Sequence, residues 1–398
     1  MDDYVHFFLR GLRGKTVQLS EPKGNLRFLD GLRGILCLIV IFSHCVQAYW
    51  PDLRFTADRS FFGMCEHFIA NTPLNLFYSG LPPVTLFFIM SGFVISYKYN
   101  KTRDRKIITN SALKRYFRFL IPVTISYVFM YVLSVIFFPK PIGLKRLIIQ
   151  AFFKTYFFDI KTINPILWTI SFEVMGSFLV FALLALFGDQ KNRLFFYFIV
   201  MLFFIKEQYC FFVFGLMMSD IYVSGGIRKA TNGILNYSLF ALGLILISYP
   251  IHYDMDGDFV DGMYKYITFS KNWDLNYAVF LRIGCFLFFI SVLRSGLIQG
   301  ILERKVILFI GKISFSLYVL HFMILECILA KMGNVVFFRD FIFYSILTFA
   351  ITIVVAIPFE IYVDRQGIRI SNRIANFLME AKLVPNFMRI NSVNNKIT

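Results

Sequence analysis

Long apolar runs separated by short polar segments make up most of this chain. Runs of roughly 18–25 apolar residues are long enough to cross the hydrocarbon core of a bilayer as helices. A helix satisfies its own backbone hydrogen bonds inside lipid, so these runs predict helices. We therefore expect an all-α polytopic membrane protein with about ten transmembrane helices, and the shortness of the fifth and sixth runs leaves nine or eleven open. The runs lie near 28–49, 82–99, 119–138, 166–187, 194–207, 209–224, 233–250, 276–293, 306–330 and 337–363.

The positions of the charged residues predict the orientation of these helices. Segments such as 98–118 are rich in Lys and Arg, as cytoplasmic loops are, whereas 251–275 contains five Asp. Both termini are therefore expected in the cytoplasm. The segment 139–165 is an exception on the predicted exterior side, because it places Lys and Arg between apolar residues. This pattern favours an amphipathic stretch that lies on the membrane surface.

The composition excludes a soluble globular protein. Of the 398 residues, 58% are hydrophobic and only 16% are charged, against roughly 25% charged residues in ordinary soluble domains. The cytoplasmic loops explain the net charge of +17, so a nucleic-acid partner is not required. We expect a cytoplasmic tail over 1–27, one transmembrane domain over 28–363 and a second cytoplasmic tail over 364–398.

Two ionisable residues share one face of the first predicted helix. Arg33 and His44 are eleven residues apart, which is about three helical turns or roughly 16 Å along the axis. An anion held at Arg33 could extend a flexible arm towards His44, and coenzyme A has phosphates at one end and a thioester at the other. Neutral imidazole is the usual general base near neutral pH. Alternatively, His44 packs internally and Arg33 extends to the lipid headgroups.

Five sequence segments spread over nearly the whole chain carry a common resemblance. They are FLDGLRG…FSH with Arg33 and His44, FFIMSGF at 87–93, LKRYFRFLIP at 113–122, LWTISFEV at 167–174 and GKISFSLYVLHF at 311–322. Together and in this order they resemble the membrane acyltransferase-3 family, whose members O-acylate cell-surface glycans and related acceptors. One departure is Glu173, which is followed by Val174 where the family often has a second acidic residue. The role of Glu173 is therefore open.

The resemblance implies a membrane O-acyltransferase, expected to be an O-acetyltransferase, that uses cytoplasmic acyl-CoA (acetyl-CoA first) and no metal. The implied acceptor is a hydroxyl of an extracytoplasmic surface glycan, such as lipopolysaccharide or another cell-envelope polysaccharide, or of a lipid-linked saccharide. The membrane would be a bacterial inner (cytoplasmic) membrane.

The helix geometry, the residue chemistry and the resemblance together give expected roles to the candidate site residues. His44 is the expected base or acyl carrier, and Glu173 is a second catalytic residue that orients His44 or recognises the acceptor. Arg33, Arg115 and Arg118 are expected to bind the phosphates of the donor, because the guanidinium fork matches phosphate geometry.

Four further residues are candidates for supporting roles, and each also has a structural explanation. They are Asp30, Ser91, Trp168 and His321. Asp30 can pair with Arg33, and Ser91 is small enough for close helix packing. Trp168 falls at the predicted membrane boundary, where aromatic residues are common. His321 lies in the ninth predicted helix, where it can form hydrogen bonds between helices.

The alternative function is a multi-span exporter or flippase of glycans or small acids, which also needs many spans and internal charges. It predicts paired spans broken by Gly or Pro and an inverted repeat, and the sequence has neither. A receptor or scaffold without turnover leaves the spacing of Arg33 and His44 unexplained.

Overall fold

The structure of the protein is a computed structural model that describes most of the chain as helices. Within the described part there is no strand, which confirms the all-α prediction. The predicted tail over 1–27 lies almost entirely outside the described residues. These residues are 26–51, 61–139, 142–158, 162–227, 233–250, 262–333, 335 and 337–380.

Most helices follow the apolar runs closely, but the helix of the third run begins at Arg105, well before the predicted start near 119, because its basic first turns continue the same helix. In chain order they are α1 (Arg27–Tyr49), α2 (Phe61–Ala70), α3 (Leu81–Thr102), α4 (Arg105–Phe137), α5 (Leu144–Ile149), α6 (Trp168–Phe187), α7 (Arg193–Phe203), α8 (Tyr209–Val223), α9 (Gly233–Ile247), α10 (Trp273–Arg294), α11 (Gly296–Leu302), α12 (Lys305–Met332), α13 (Phe338–Phe359) and α14 (Arg365–Glu380).

Seven helical segments of the described chain are long and apolar enough to cross a membrane. They contain α1, α3, α4, α6, α10, α12 and the continuous stretch from α13 through α14. The shorter apolar helices α7, α8 and α9 fall on the fifth to seventh predicted runs. The chain is therefore a polytopic α-helical membrane protein, and the number of spans and the side of each terminus stay predictions.

Glycine brings backbones into direct contact at several helix crossings of the described chain, among them that of α1 with α12 and that of α3 with α8. At the crossing of α1 and α12, Gly34 lies against the backbone of Gly311. At the crossing of α3 and α8, Gly92 lies against the backbone of Phe212, and Gly215 lies against that of Ile89. Small residues permit such close approach between membrane helices. The first crossing fixes how the helix with Arg33 and His44 meets α12, which carries His321.

We expect the Gly34→Ala variant to be less stable than the wild-type protein. A methyl group at this position would lie 2.6 Å from the backbone nitrogen of Gly311, and such overpacking typically lowers the free energy of unfolding by about 1–3 kcal/mol. The matched control is Gly300→Ala in α11, where nothing lies within 4 Å of the added methyl group. Thermal unfolding of both variants in detergent micelles measures the difference, and equal melting temperatures would contradict the tight crossing.

The predicted amphipathic segment between α4 and α6 folds back along α4. It contains α5 and a turn of π-helix at Gln150–Lys154. Ser134 Oγ accepts a hydrogen bond from the backbone of Ile142 at 3.3 Å, and the Tyr116 hydroxyl donates to the carbonyl of Phe152 at 2.8 Å. The segment therefore runs antiparallel to α4 and covers one side of it, while its location on the membrane surface stays a prediction.

The last transmembrane helix continues beyond the predicted boundary at 363. A turn of π-helix at Glu360–Asp364 joins α13 to α14. Helix α14 packs against α4, and the Cα of Gly367 faces Pro122. The first part of the predicted cytoplasmic tail is thus a helix attached to the bundle, and it brings Asp364 next to α4.

Candidate active site

Three helices meet at a buried ion pair between Arg115 of α4 and Glu173 of α6. Arg115 Nη2 lies 2.6 Å from Glu173 Oε2, and only 16% of each side chain is exposed. Ser91 of α3 joins them, because its hydroxyl donates to Glu173 Oε2 at 2.8 Å and accepts from Arg115 Nη2 at 2.9 Å. The guanidinium carbon of Arg115 also lies 4.7 Å from the ring centroid of Phe119. The structure thus joins three of the predicted site residues in one cluster.

The pairing explains how two charges are accommodated inside an apolar bundle. An unpaired ion in such a place costs several kcal/mol of desolvation energy, whereas a paired and hydrogen-bonded one recovers much of that cost. Ser91 therefore has a polar role in addition to helix packing, since its hydroxyl contacts both charged groups. The Glu173 carboxylate is held by Arg115 and Ser91, which fixes its position.

Arg33 of α1 is the more accessible cation beside this cluster. It lies within electrostatic range of both Arg115 and Glu173. Its own partner is Asp30, at 3.2 Å, and the two side chains are 33% and 44% exposed. Ion pairs with this exposure contribute little to stability, about 0–1 kcal/mol. Arg33 can therefore exchange Asp30 for an incoming anion at small cost.

Arg118, the third predicted phosphate ligand, forms a two-point ion pair with Asp364. The distances are 2.5 Å from Nη1 to Oδ1 and 3.2 Å from Nη2 to Oδ2, and only 8% of the Asp364 side chain is exposed. The guanidinium carbon also lies 5.4 Å from the ring centroid of Phe315. Bidentate pairs of this kind are strong and directional. Arg118 therefore anchors the π-helical turn to α4.

The two predicted histidines lie side by side. The ring centroids of His44 and His321 are 5.3 Å apart, and Phe322 packs edge-on against His44 at 5.6 Å. His321 is completely buried. Its Nδ1 atom lies 3.1 Å from the carbonyl oxygen of Leu317. Since a carbonyl only accepts, Nδ1 carries the proton in this contact, and Nε2 of a neutral imidazole is then an acceptor.

Tyr318 links His321 to the first turn of α6. The ring of Tyr318, on α12, lies 5.9 Å from that of His321. The Tyr318 hydroxyl donates to the carbonyl of Ile166 at 2.6 Å and lies 2.8 Å from Thr169 Oγ1. The neighbouring Trp168 ring packs edge-on against Phe172 at 5.5 Å. Trp168, predicted at the membrane boundary, thus begins a helix that contacts the histidine pair through Tyr318.

The candidate site has two parts, separated along α1. One part holds the cationic groups near Arg33, and the other holds His44 and His321. The eleven residues between Arg33 and His44 correspond to roughly 16 Å along a helix axis. Since α1 is one continuous helix from Arg27 to Tyr49, the cationic groups and the imidazoles lie at two separate levels along it, about three turns apart.

Arg282 of α10 is a charged residue within an apolar run that received no predicted role. Its guanidinium donates to the carbonyls of Ile205 at 2.5 Å, Ala278 at 2.8 Å and Lys206 at 2.8 Å. Two of these carbonyls lie in the turn after the short helix α7, so Arg282 satisfies backbone acceptors of the turn that joins α7 to α8. The rule that intramembrane charges mark important positions identifies this residue. Two of its partners are backbone carbonyls in the turn between α7 and α8, which the sequence does not reveal.

Comparison with known proteins identifies the family of this chain. The sequence model of the acyltransferase domain of the acyltransferase-3 family matches residues 26–360. The "O-acetyltransferase PaAT-1" of Phomopsis amygdali is 30% identical over 124 residues, which cover 29% of this chain and 24% of that protein. The chain thus spans about a quarter of the length of this relative. No solved structure matches the chain significantly. Since the family match extends from the start of α1 to the end of α13, the chain belongs to the acyltransferase-3 family.

Proposed function

We propose that this protein is a membrane O-acyltransferase that moves an acyl group from cytoplasmic acyl-CoA to a hydroxyl on the other side of the membrane. The observation that carries the proposal is the division of the site into a cationic end and a histidine end on one helix. His44 lies 5.3 Å from His321, between ring centroids, and Arg33 is about three turns away on α1. Membership of the acyltransferase-3 family supports the reaction class.

The donor is proposed to bind with its phosphates at the cationic end. Arg115 lies within electrostatic range of both Arg33 and Arg118. Arg33 is suited to direct contact with phosphate because its exposed pair with Asp30 is weak. Arg115 and Arg118 already hold buried carboxylates, so their contribution is the positive potential that attracts the anion. The pantetheine arm would then extend along α1 towards His44.

His44 is proposed to act on the acceptor in one of two ways. As a general base, its imidazole takes the proton of the acceptor hydroxyl, and the hydroxyl oxygen attacks the thioester carbonyl. The carbon–sulfur bond then breaks, and the leaving thiolate of coenzyme A takes the proton back from the imidazolium. As an acyl carrier, the His44 nitrogen attacks the thioester first, the carbon–sulfur bond breaks, and the coenzyme A thiolate takes up the proton that the imidazole gives up. In a second step the acceptor hydroxyl attacks the acyl group, the carbon–nitrogen bond breaks, and the released imidazole takes up the hydroxyl proton. His321 packs against the His44 ring in both routes and is proposed to fix its orientation.

The donor and acceptor are proposed to be acetyl-CoA and a surface glycan or lipid-linked saccharide. The name of the Phomopsis amygdali relative supports acetyl transfer to oxygen. A transmembrane position for the site lets coenzyme A stay in the cytoplasm while the glycan stays outside, and the proposed setting is the cytoplasmic membrane of a bacterium.

The proposal is tested by acetyl-CoA turnover of the purified protein in nanodiscs. We expect the wild-type protein to consume acetyl-CoA and the Arg33→Ala variant to require roughly tenfold more donor for half-maximal rate, since a hydrogen bond to a charged group contributes about 1.5–3 kcal/mol. The control is Arg304→Ala, which removes an exposed arginine next to the start of α12. If acetyl-CoA is neither bound nor consumed by the wild-type protein with glycan acceptors present, the proposal is wrong.

A further inference from the structure

The pair of short helices α7 and α8 leaves a depression beside α6. Helix α6 has 20 residues and α7 has 11, which correspond to about 30 Å and about 16 Å of helix. The last residue of α6, Phe187, and the first residue of α7, Arg193, lie at the same end of the bundle. The turn that joins α7 to α8 therefore stops well short of Trp168, the first residue of α6. Space remains above this turn, on the side that the charge distribution assigns to the exterior.

A groove of about 660 Å³ occupies this space. Ligand pockets in proteins commonly have volumes of roughly 300–1,000 Å³, so the groove is large enough for a small ligand or for part of a larger one. Its lining residues are Thr162, Pro165, Trp168, Phe172, Lys206, Glu207 and Gln208.

The lining combines two aromatic rings with unpaired polar groups. Trp168 and Phe172 form the aromatic part, with their rings 5.5 Å apart. The Gln208 Oε1 atom is buried and has no hydrogen-bond partner among the described residues. Gln208 is the N-cap residue of α8, yet its side chain does not cap that helix. The side chain of Glu207 is exposed. The exposed Glu207 carboxylate can accept hydrogen bonds from a ligand directly. The Gln208 oxygen lacks a partner where it lies and becomes an acceptor for a ligand when its side chain turns towards the groove.

These groups match the chemistry of a sugar ring. A pyranose presents several hydroxyl donors around its edge and a face of C–H bonds, which packs on aromatic rings. A lipid chain would pack well against the two aromatic rings, but it has no donor for the buried Gln208 oxygen. A buried acceptor without a hydrogen bond destabilises the protein, because it has lost its contact with water and gained no other partner. The polar part of the groove is held in place by Arg282, which binds the carbonyls of Ile205 and Lys206.

We propose that this groove binds a sugar ring of the acceptor glycan, with Trp168 against the ring face and with Glu207 and Gln208 as acceptors for its hydroxyls. This inference rests on the proposed function, since it identifies where the acceptor of that reaction binds. The groove is connected to the histidine pair, because Trp168 is followed by Thr169, which contacts Tyr318 next to His321. A sugar ring in the groove therefore lies beside the helix turn that supports the reactive end of the site.

Protection of an introduced thiol tests the groove without any need for turnover. The variant is Lys206→Cys in a Cys65→Ser background, because Cys65 is exposed and the other cysteines are buried. In proteoliposomes, the thiol is labelled from outside with a membrane-impermeant maleimide. Labelling is repeated with the methyl glycosides of glucose, galactose, mannose, rhamnose and N-acetylglucosamine. The matched control is Lys265→Cys, which lies in the exposed turn before α10, outside the groove.

We expect at least one glycoside to slow labelling at position 206 and none to slow it at position 265. Gln208→Leu and Glu207→Gln should each raise the glycoside concentration for half protection roughly tenfold, and the second variant changes only an exposed side chain. The inference is overturned if no glycoside protects, if both positions are protected equally, or if position 206 is labelled only from the cytoplasmic side. If a glycoside protects position 206 but the protein does not consume acetyl-CoA, the sugar site stands and only the proposed acyltransferase function is contradicted.

Discussion

The His44→Ala variant is expected to lose acyl transfer by about 10²–10⁴-fold, the range by which a general base usually accelerates a reaction. Loss of an acyl carrier would have at least this effect, since the covalent route would then be closed. The ring of His44 packs against His321 and Phe322, so the alanine variant leaves some empty space at the site. Transfer of labelled acetyl groups to a glycan acceptor in nanodiscs measures the loss.

The control for this variant is His67→Ala, which removes an exposed histidine of α2. It should retain the wild-type rate, because His67 is exposed and its ring pairs with the exposed side chain of Asn71, four residues along the chain. Thermal unfolding of both variants separates a chemical effect from loss of the fold. A folded His44→Ala protein that keeps more than about a tenth of the wild-type rate would remove His44 from the proposed mechanism.

The same variant separates the two proposed routes. When wild-type protein is mixed with acetyl-CoA and no acceptor, the carrier route predicts an intact mass higher by one acetyl group, and the base route predicts none. The added mass should be absent from His44→Ala and should disappear when an acceptor is added. An acetyl group that persists in His44→Ala would show modification elsewhere and would count against the carrier route.

The features that the sequence predicted well are local or depend on length. Apolar runs of sufficient length specify helices in lipid because no other arrangement satisfies the backbone, and α1, α3 and α6 follow their predicted runs closely. The pair of Arg33 with Asp30 follows from helical spacing alone, since residues three apart share a face. The separation of Arg33 and His44 along α1 follows from the same geometry.

The features that the sequence did not predict depend on how the helices pack. Glu173 is the partner of Arg115 because α4 and α6 happen to face each other at that depth, and nothing in either run specifies this. The approach of His321 to His44 depends on the glycine crossing of α1 and α12. The contact of Asp364 with Arg118 requires the π-helical turn, which apolar periodicity does not reveal.

Removing one member of the Arg115–Glu173 pair is expected to lower the free energy of unfolding by about 3–5 kcal/mol, because the remaining charge is then buried without its partner. The variants are Arg115→Met and Glu173→Leu, each measured by denaturant titration in micelles. The control is Arg105→Ala, which breaks an ion pair with Asp189 whose side chains are 53% and 45% exposed. That exposed pair should contribute about 0–1 kcal/mol.

The double variant Arg115→Met/Glu173→Leu distinguishes a structural role from a functional one. Replacing both charges with apolar side chains of similar size is often neutral or stabilising, so we expect it to recover most of the stability that either single change removes. If the pair only holds α4 against α6, acyl transfer should recover together with stability. If the positive potential of Arg115 helps to bind the donor phosphates, the double variant should be folded and still require more acetyl-CoA than wild type. If Glu173→Leu lowers the free energy of unfolding by no more than Arg105→Ala does, the Arg115–Glu173 pair is not desolvated. The ion pair would then contribute little to stability or to donor binding.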